Sequence, residues 1–511
     1  MRKTWVAVLA LACAWPAAAQ ESAPTPDFAA MSEAELGERV NAIGAEGFAN
    51  PCRDKVPLFA EFLRRHPDHA GLKSGSLTAQ AFCAYEEERD EDGLKLLKQA
   101  ESVFDGPAFH GLGLYFATQL EDGAEALARL RSIARERQLA SLPVDSVSFG
   151  IRTVRRDGLD VEFDEFGFEL AASSEFARLD PELQSAFASA GVRHSVRIGD
   201  LPKVDELLGY VSNPSSYQIM LSDRTYEAAW PQIEERAGDN LRKVVEAYAR
   251  LTAERLSEKP EDRDRLTGYA YALLYAGRFQ EAVDVARNWR PQRDSLAGIE
   301  EGDAWALNIE AYALDALGRP DEADAVFDQL ATVSPDEHYW VVNFVINRAS
   351  RLVGQERWEE GLAATELARS VAEEQGSTFA KLLVARDRAC ALQRLGRIED
   401  ARREAEFLVE QFNESAAVAT TGLMCVGQEE QAEQLLAAAL QDEVARGGLI
   451  YDIQDPRFEL FYTPTALPQA RALILADEAL REEVFKHVRI IPERFVPVSY
   501  LRRKNAAAAA P

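Results

Sequence analysis

The segment Gly268-Tyr-Ala-Tyr-Ala-Leu-Leu-Tyr-Ala-Gly-Arg-Phe-Gln-Glu-Ala282 recurs as Glu310-Ala-Tyr-Ala-Leu-Asp-Ala-Leu-Gly-Arg-Pro-Asp-Glu-Ala323 and again as Arg388-Ala-Cys-Ala-Leu-Gln-Arg-Leu-Gly-Arg-Ile-Glu-Asp-Ala401. Each copy sets a small residue seven positions before a turn glycine and another five after it: Ala270, Gly277 and Ala282; Ala311, Gly318 and Ala323; Ala389, Gly396 and Ala401. Small residues at those places let two antiparallel helices touch closely, and glycine ends the first helix in a left-handed cap. A chain of 511 residues built from such units grows by stacking and escapes the size limit of a single core.

Spacing refines the pattern. Gly277 to Gly318 is 41 residues and Gly318 to Gly396 is 78, two steps of 39 if Arg351–Gly361 is the copy between; Gly396 to Gly427 is 31. Helix, turn glycine, helix, with small residues at the contact, resembles the tetratricopeptide repeat, whose unit is about 34 residues. The resemblance is to the superfamily, because these copies have lengthened or shortened loops. It implies an all-α, right-handed superhelical solenoid and a binding scaffold without a catalytic role or cofactor. In this superfamily the first helix of each repeat lines a concave surface. Carried onto this chain, that places Tyr271, Tyr275, Trp305, Asn308, Tyr312, Asn343, Asn347, Arg386 and Arg394 on successive strips of the binding face. Tyr, Trp and Arg there suit a peptide or protein groove; ring stacking on a glycan is the alternative. The family's carboxylate clamp needs Lys beside Asn, and no Lys accompanies Asn308, Asn343 or Asn347.

The N-terminus reads as an export signal. Met1-Arg-Lys3 is basic, Thr4 to Trp15 is apolar but too short to cross a bilayer, and Ala17-x-Ala19 is a cleavage pattern, giving a signal peptide over 1–19. A lipid-modified Cys13 fits less well, since Ala10 stands where such signals carry Leu. The expected residence is the periplasm. Net charge is −28, a field that repels nucleic acid and anionic lipid. No later stretch is long and apolar enough to be a transmembrane helix. Without Cys13 four cysteines remain, Cys52, Cys83, Cys390 and Cys425, in two local pairs; in an exported chain these point to two disulfides joining neighbouring repeats, with four buried thiols as the alternative.

Along the chain, 20–30 is a polar, proline-bearing leader. Residues 31–142 carry weaker helical repeats, opened by the capping-box pattern Ser32-Glu-Ala-Glu35, with Ala79 to Tyr85 opening a further helix. Residues 143–182 are ambiguous: Val147, Ile151 and Val154 suit a helix, yet Asp157-Gly158 between alternating apolar runs also suits a β-hairpin. Helix is the expectation. Repeats run over 183–440, with a further turn at Gly199 between Val192 and Val204 and another unit around Leu221–Trp230. Residues 450–501 read as C-terminal capping helices, one around Ala466–Phe485, and 502–511 as a low-complexity tail.

Chemistry is sparse. His66-Pro-Asp-His69 raises a J-domain loop or a metal pair, but the preceding helix is apolar rather than basic and no third ligand is near in sequence. No phosphate-binding glycine loop, nucleophile elbow or His-Glu-x-x-His occurs. The expected partner is an envelope protein or peptide segment, with no metal.

Overall fold

A computed structural model describes residues 27–46, 50–104, 109–289, 296, 298–454 and 467–499. Two of the sequence assignments, the signal peptide and the tail 502–511, lie outside these residues, as does most of the leader. Among the described residues there are 26 α-helices, a few short 3-10 turns and no strand; the isolated bridge Asp223–Val488 is antiparallel. The chain divides into two compact units, Met1–His194 and Ser195–Pro511.

In the first unit, α1 (Glu33–Glu46), α2 (Val56–Arg65) and α3 (Ala70–Glu86) bury Leu36, Leu58, Phe59, Leu72 and Ala79 against Phe28. The expected box at the start of α1 is formed: Ser32 N–H donates to Glu35 Oε2 at 2.7 Å and Glu35 N–H to Ser32 Oγ at 3.3 Å. The helix expected to open at Ala79 begins instead at Ala70, where His69 Nδ1 accepts from Leu72 N–H at 3.2 Å and caps it. Then come α4 (Asp90–Val103), α5 (His110–Gln119), α6 (Gly123–Arg135), α7 (Val144–Arg156) and α8 (Asp160–Ala171). Asp157-Gly158 closes a helix rather than a β-hairpin, because Gly158 takes φ +71° and hands Leu159 N–H to Val154 O at 3.2 Å. Cys52, in the π-turn Pro51–Lys55, is bonded to Cys83 of α3, with Cα atoms 4.8 Å apart.

Helix α9 (Pro181–Ile198) leads into the second unit. There α10 (Leu201–Leu208), α11 (Pro214–Ser222), α12 (Trp230–Ala237) and α13 (Arg242–Glu258) are followed by five helical hairpins. These are α14 (Arg263–Tyr275) with α15 (Phe279–Trp289), α16 (Glu301–Ala316) with α17 (Pro320–Leu330), α18 (Val341–Gly354) with α19 (Trp358–Gln375), α20 (Thr378–Arg394) with α21 (Ile398–Glu410), and α22 (Ala416–Cys425) with α23 (Glu429–Gln441). The helices pack on their successors, and α14 on α16, α18 on α20 and α20 on α22 as well, the neighbour pattern of stacked hairpins. Cys390 of α20 is bonded to Cys425 of α22, Cα to Cα 5.0 Å.

One turn chemistry runs through both units. Residues 88, 121, 158, 199, 277, 318, 356, 396 and 427 all take positive φ, at intervals of 31 to 41 residues apart from the 78 between Gly199 and Gly277. Around each, the amide of the next residue reaches back five residues, as Arg278 N–H to Leu273 O at 2.8 Å and Arg397 N–H to Leu392 O at 2.8 Å, which satisfies the last carbonyls of the helix. The flanking alanines of the three best copies are all fully buried. In the copy around Glu356 their places fall to Ala349 and Gly361; a Cβ on Gly361 would lie 2.8 Å from Val353 Cγ2, so only glycine fits the close approach of α18 and α19.

Buried arginines join successive hairpins. Arg351 of α18 donates to Asp315 of α16 at 2.6 and 2.8 Å and to Asp324 of α17, and Arg388 of α20 reaches Glu366 of α19 at 2.5 Å and Glu404 of α21 at 2.7 Å. The stretch expected as a unit around Leu221–Trp230 is instead the end of α11, a 3-10 turn and the start of α12.

The second unit also closes on itself. After α24 (Glu443–Asp452), α25 (Ala470–Ala476) and α26 (Glu478–Phe485), Val484 and Val488 pack with Leu436 and Leu440 of α23, as a cap would. The chain then returns to the start of the unit. Arg224 N–H donates to His487 O at 2.9 Å and Arg489 N–H to Ser222 O at 2.8 Å. The Arg489 guanidinium lies 3.6 Å from the Trp230 ring centre, donating to Leu221 O at 2.7 Å and to Glu234 at 2.8 Å. Asn240 donates to Val496 O at 3.1 Å.

Candidate functional site

The first helices of the second unit carry a continuous row of rings. Positions four apart on a helix share a face, so Tyr271 and Tyr275 stand one above the other on α14 with centroids 6.3 Å apart. Tyr248 of α13 stacks on Tyr275 at 6.1 Å and 24°. On the other side Tyr271 meets Trp305 of α16 at 6.5 Å, Trp305 meets Phe344 of α18 edge-on at 4.9 Å, and Phe344 meets Trp340 at 5.7 Å. Phe344 and Trp340 are buried; Tyr271, Tyr275 and Trp305 are half-exposed. The row therefore has a packed backing and an accessible edge.

A polar line runs beside it. Asn347 of α18 donates through Nδ2 to Oδ1 of the fully buried Asn308 on α16 at 3.2 Å. Tyr312, one turn on, has its phenol held well above the ordinary range by burial, with Tyr271 adding to the effect. It is a neutral hydroxyl, neither acid nor base near neutral pH.

The remaining residues expected on this face do not join the row. Asn343 is exposed. Arg386 is 7% exposed, donating to Asp387 Oδ1 at 2.8 Å and to Ser350 Oγ at 3.2 Å. Its charge is thus spent inside, since a buried guanidinium needs its carboxylate there; burial in turn pushes the Asp387 carboxyl up, against the pull of Arg386. Arg394 is exposed and lies 5.6 Å from the Trp358 ring centre.

Sequence reasoning missed Tyr248, Tyr339, Trp340, Phe344 and Glu301. Glu301 is half-exposed and accepts from the Trp305 indole N–H and the Tyr339 hydroxyl, each at 3.4 Å. Its position four before Trp305 was readable as a same-face pair.

Two open clefts lie elsewhere. In the first unit a groove of about 880 Å³ is lined by Phe59, Phe62, His66, His69, Gly71 and Phe104. Its histidines are engaged: His69 caps α3, and His66 Nε2 is 2.9 Å from Glu33. In the second unit a cleft of about 870 Å³ is lined by Pro202, Asp205, Tyr217, Gln232, Arg236 and Lys243. Tyr217 donates to Leu208 O at 3.2 Å, and burial pushes its phenol up to about 12. Among the described residues one grouping of three metal-ligand types occurs, Cys52, Cys83 and Glu87, and both of its sulfurs are committed to the disulfide. No helix among the described residues is long and apolar enough to cross a membrane. No known family model matches the chain, and no curated protein matches it.

Proposed function

We propose that this chain is a non-catalytic scaffold of the tetratricopeptide type that acts in the cell envelope, holding a polypeptide segment along the ring-bearing face of α14, α16 and α18. The observation that carries the reading is the row Tyr248, Tyr275, Tyr271, Trp305, Phe344, backed by buried rings and open along one edge. Half-exposed Tyr and Trp on a rigid framework bind with little ordering cost, because the side chains are already fixed by their neighbours. The stacked hairpins supply that framework and are the basis for proposing a superhelical path. Export to the periplasm by the 1–19 segment is supported by the two disulfides, which persist in oxidising compartments.

The test is capture from envelope extract by the mature protein and by a Tyr271→Ala, Trp305→Ala double variant whose circular dichroism matches the parent. A polypeptide partner retained by the parent and lost by the variant is the expected result. Equal retention by both removes the ring row as the binding face, and retention of glycan resin alone moves the row to carbohydrate binding by ring stacking.

A further inference from the structure

We propose that Glu301, with Trp305, Tyr339 and Tyr271 around it, is a receptor for a single lysine or arginine side chain of the bound polypeptide. The inference rests on the scaffold reading above and names the chemistry of its partner. Its basis is the set of groups around the Glu301 carboxylate. Asp315, Asp324, Glu310, Glu366, Asp387 and Glu404 each meet an arginine within 2.8 Å. Glu301, half-exposed, meets none among the described residues; its side-chain partners there are the Trp305 indole N–H and the Tyr339 hydroxyl, both neutral and both at 3.4 Å. On the neighbouring α14, Arg263 is taken by Asp303 and lies 3.6 Å from Glu300.

An ionised carboxylate has about four lone-pair directions, and two long neutral contacts leave it able to accept stronger, charge-assisted bonds from an ammonium or guanidinium. The aromatic surroundings suit the rest of such a side chain. A lysine or arginine stem packs on ring surface while its head stays at the polar tip, and ring faces attract the cation. The net charge of −28 draws basic segments toward the chain but gives them no address; the site supplies one.

The experiment uses the mature protein with ¹⁵N-labelled tryptophan and acetyl-tetralysine amide as the probe, with acetyl-tetraglutamate amide as control. The chain has seven tryptophans, and Trp305→Phe identifies the Trp305 indole resonance. Tetralysine is expected to move that resonance, since its N–H shares Glu301, and tetraglutamate to leave it in place. Glu301→Gln, which keeps an acceptor and removes the charge, is expected to weaken tetralysine binding about fivefold to thirtyfold. Glu300→Gln, at a neighbouring carboxylate 70% exposed, is expected to change it less than twofold. The proposal is overturned if the Trp305 indole does not respond, or if Glu301→Gln binds as the parent does. It is also overturned if Glu300→Gln weakens binding equally, because the attraction is then the diffuse field of the chain. Envelope partner lost with Tyr271→Ala, Trp305→Ala but kept with Glu301→Gln would remove the cation receptor and leave the scaffold standing.

Discussion

Removing the Arg489 side chain should release the contact that joins the two ends of the second unit. In a simple stack each hairpin touches only its neighbours, so local openings are independent. Here residues some 260 apart in sequence are bonded, and Arg489 is the hub. It donates to Leu221 O at 2.7 Å and to Glu234 at 2.8 Å and covers Trp230 at 3.6 Å, with Arg489 and Glu234 both about one-fifth exposed. A charged hydrogen bond at that shelter is worth about 1.5–3 kcal/mol, a backbone bond and a cation–π contact about 1 kcal/mol each. Because the three share one group they do not add fully, and about 3–4 kcal/mol is the expected loss in Arg489→Ala. The readout is hydrogen exchange of two amides, Arg224 N–H bonded to His487 O and the residue-489 N–H bonded to Ser222 O. Both should exchange about a hundredfold to a thousandfold faster, since 1.4 kcal/mol is tenfold, while amides inside α6 keep their protection. Protection of both bridge amides within fivefold of the parent would refute the reasoning, and with it the idea that the ends of the unit are energetically coupled.

Two further predictions use perturbations of opposite sign. Gly268 lies inside α14 with nothing within 4 Å of a built Cβ, whereas the Cβ of residue 361 in α19 would meet Val353 Cγ2 at 2.8 Å and Val353 N at 3.2 Å. Gly268→Ala should therefore stabilise by about 0.5–1 kcal/mol through helix propensity alone. Gly361→Ala, gaining the same propensity but overpacking the α18–α19 contact, should destabilise by about 0.5–2 kcal/mol; denaturant midpoints decide both, and a stabilised Gly361→Ala would contradict the close approach. On pH, burial alone would raise the Asp324 carboxyl, but the bonds from Arg351 and Arg357 outweigh it and hold it below its ordinary value. The folded state thus binds fewer protons than the unfolded one, so this stabilisation is present above the usual Asp range near 3.8 and fades as pH falls below it. Asp324→Asn should lose stability at pH 7 yet lose less than the parent between pH 5 and 3, measured by thermal midpoints; parallel pH profiles would refute the assignment.

The turns explain how much of the fold could be read from the sequence. Where the left-handed residue is glycine, as at 277, 318, 396 and 427, the copies are visible, because glycine advertises the conformation that the cap requires. At 88, 121 and 356 the same conformation is held by glutamate, a residue that carries no such signal, so the repeats of the first unit read as weaker than they are. The small-residue rule still operates there: a Cβ on Gly93, five past Glu88, would lie 2.2 Å from the Phe116 ring. The disulfides were legible for a different reason, since the cysteines of each pair stand about one repeat length apart, 31 and 35 residues, and so fall on neighbouring elements of the stack. Closure of the second unit was not legible, because it depends on bonds from residues 221–240 to residues 487–496, to which no local pattern corresponds.

For the proposed binding face, periodicity located a surface but not its depth. A helix face assigned from turn positions was expected to line the concave surface, with packing between repeats as the alternative; Tyr271 meets Trp305, and Asn308 meets Asn347, across adjacent first helices. It cannot say where the neighbour comes so close that the face closes over. At α18 and α20 the helices pack directly, and Arg386 is sealed against Asp387 and Ser350. Between α16 and α18 the bulk of Trp305 and Phe344 intervenes, and the edge of the row stays open there. Ring size at the seam between first helices therefore decides where this surface stays open. That is why the accessible part centres on Trp305, beside which the Glu301 carboxylate accepts from the indole N–H and from the Tyr339 hydroxyl.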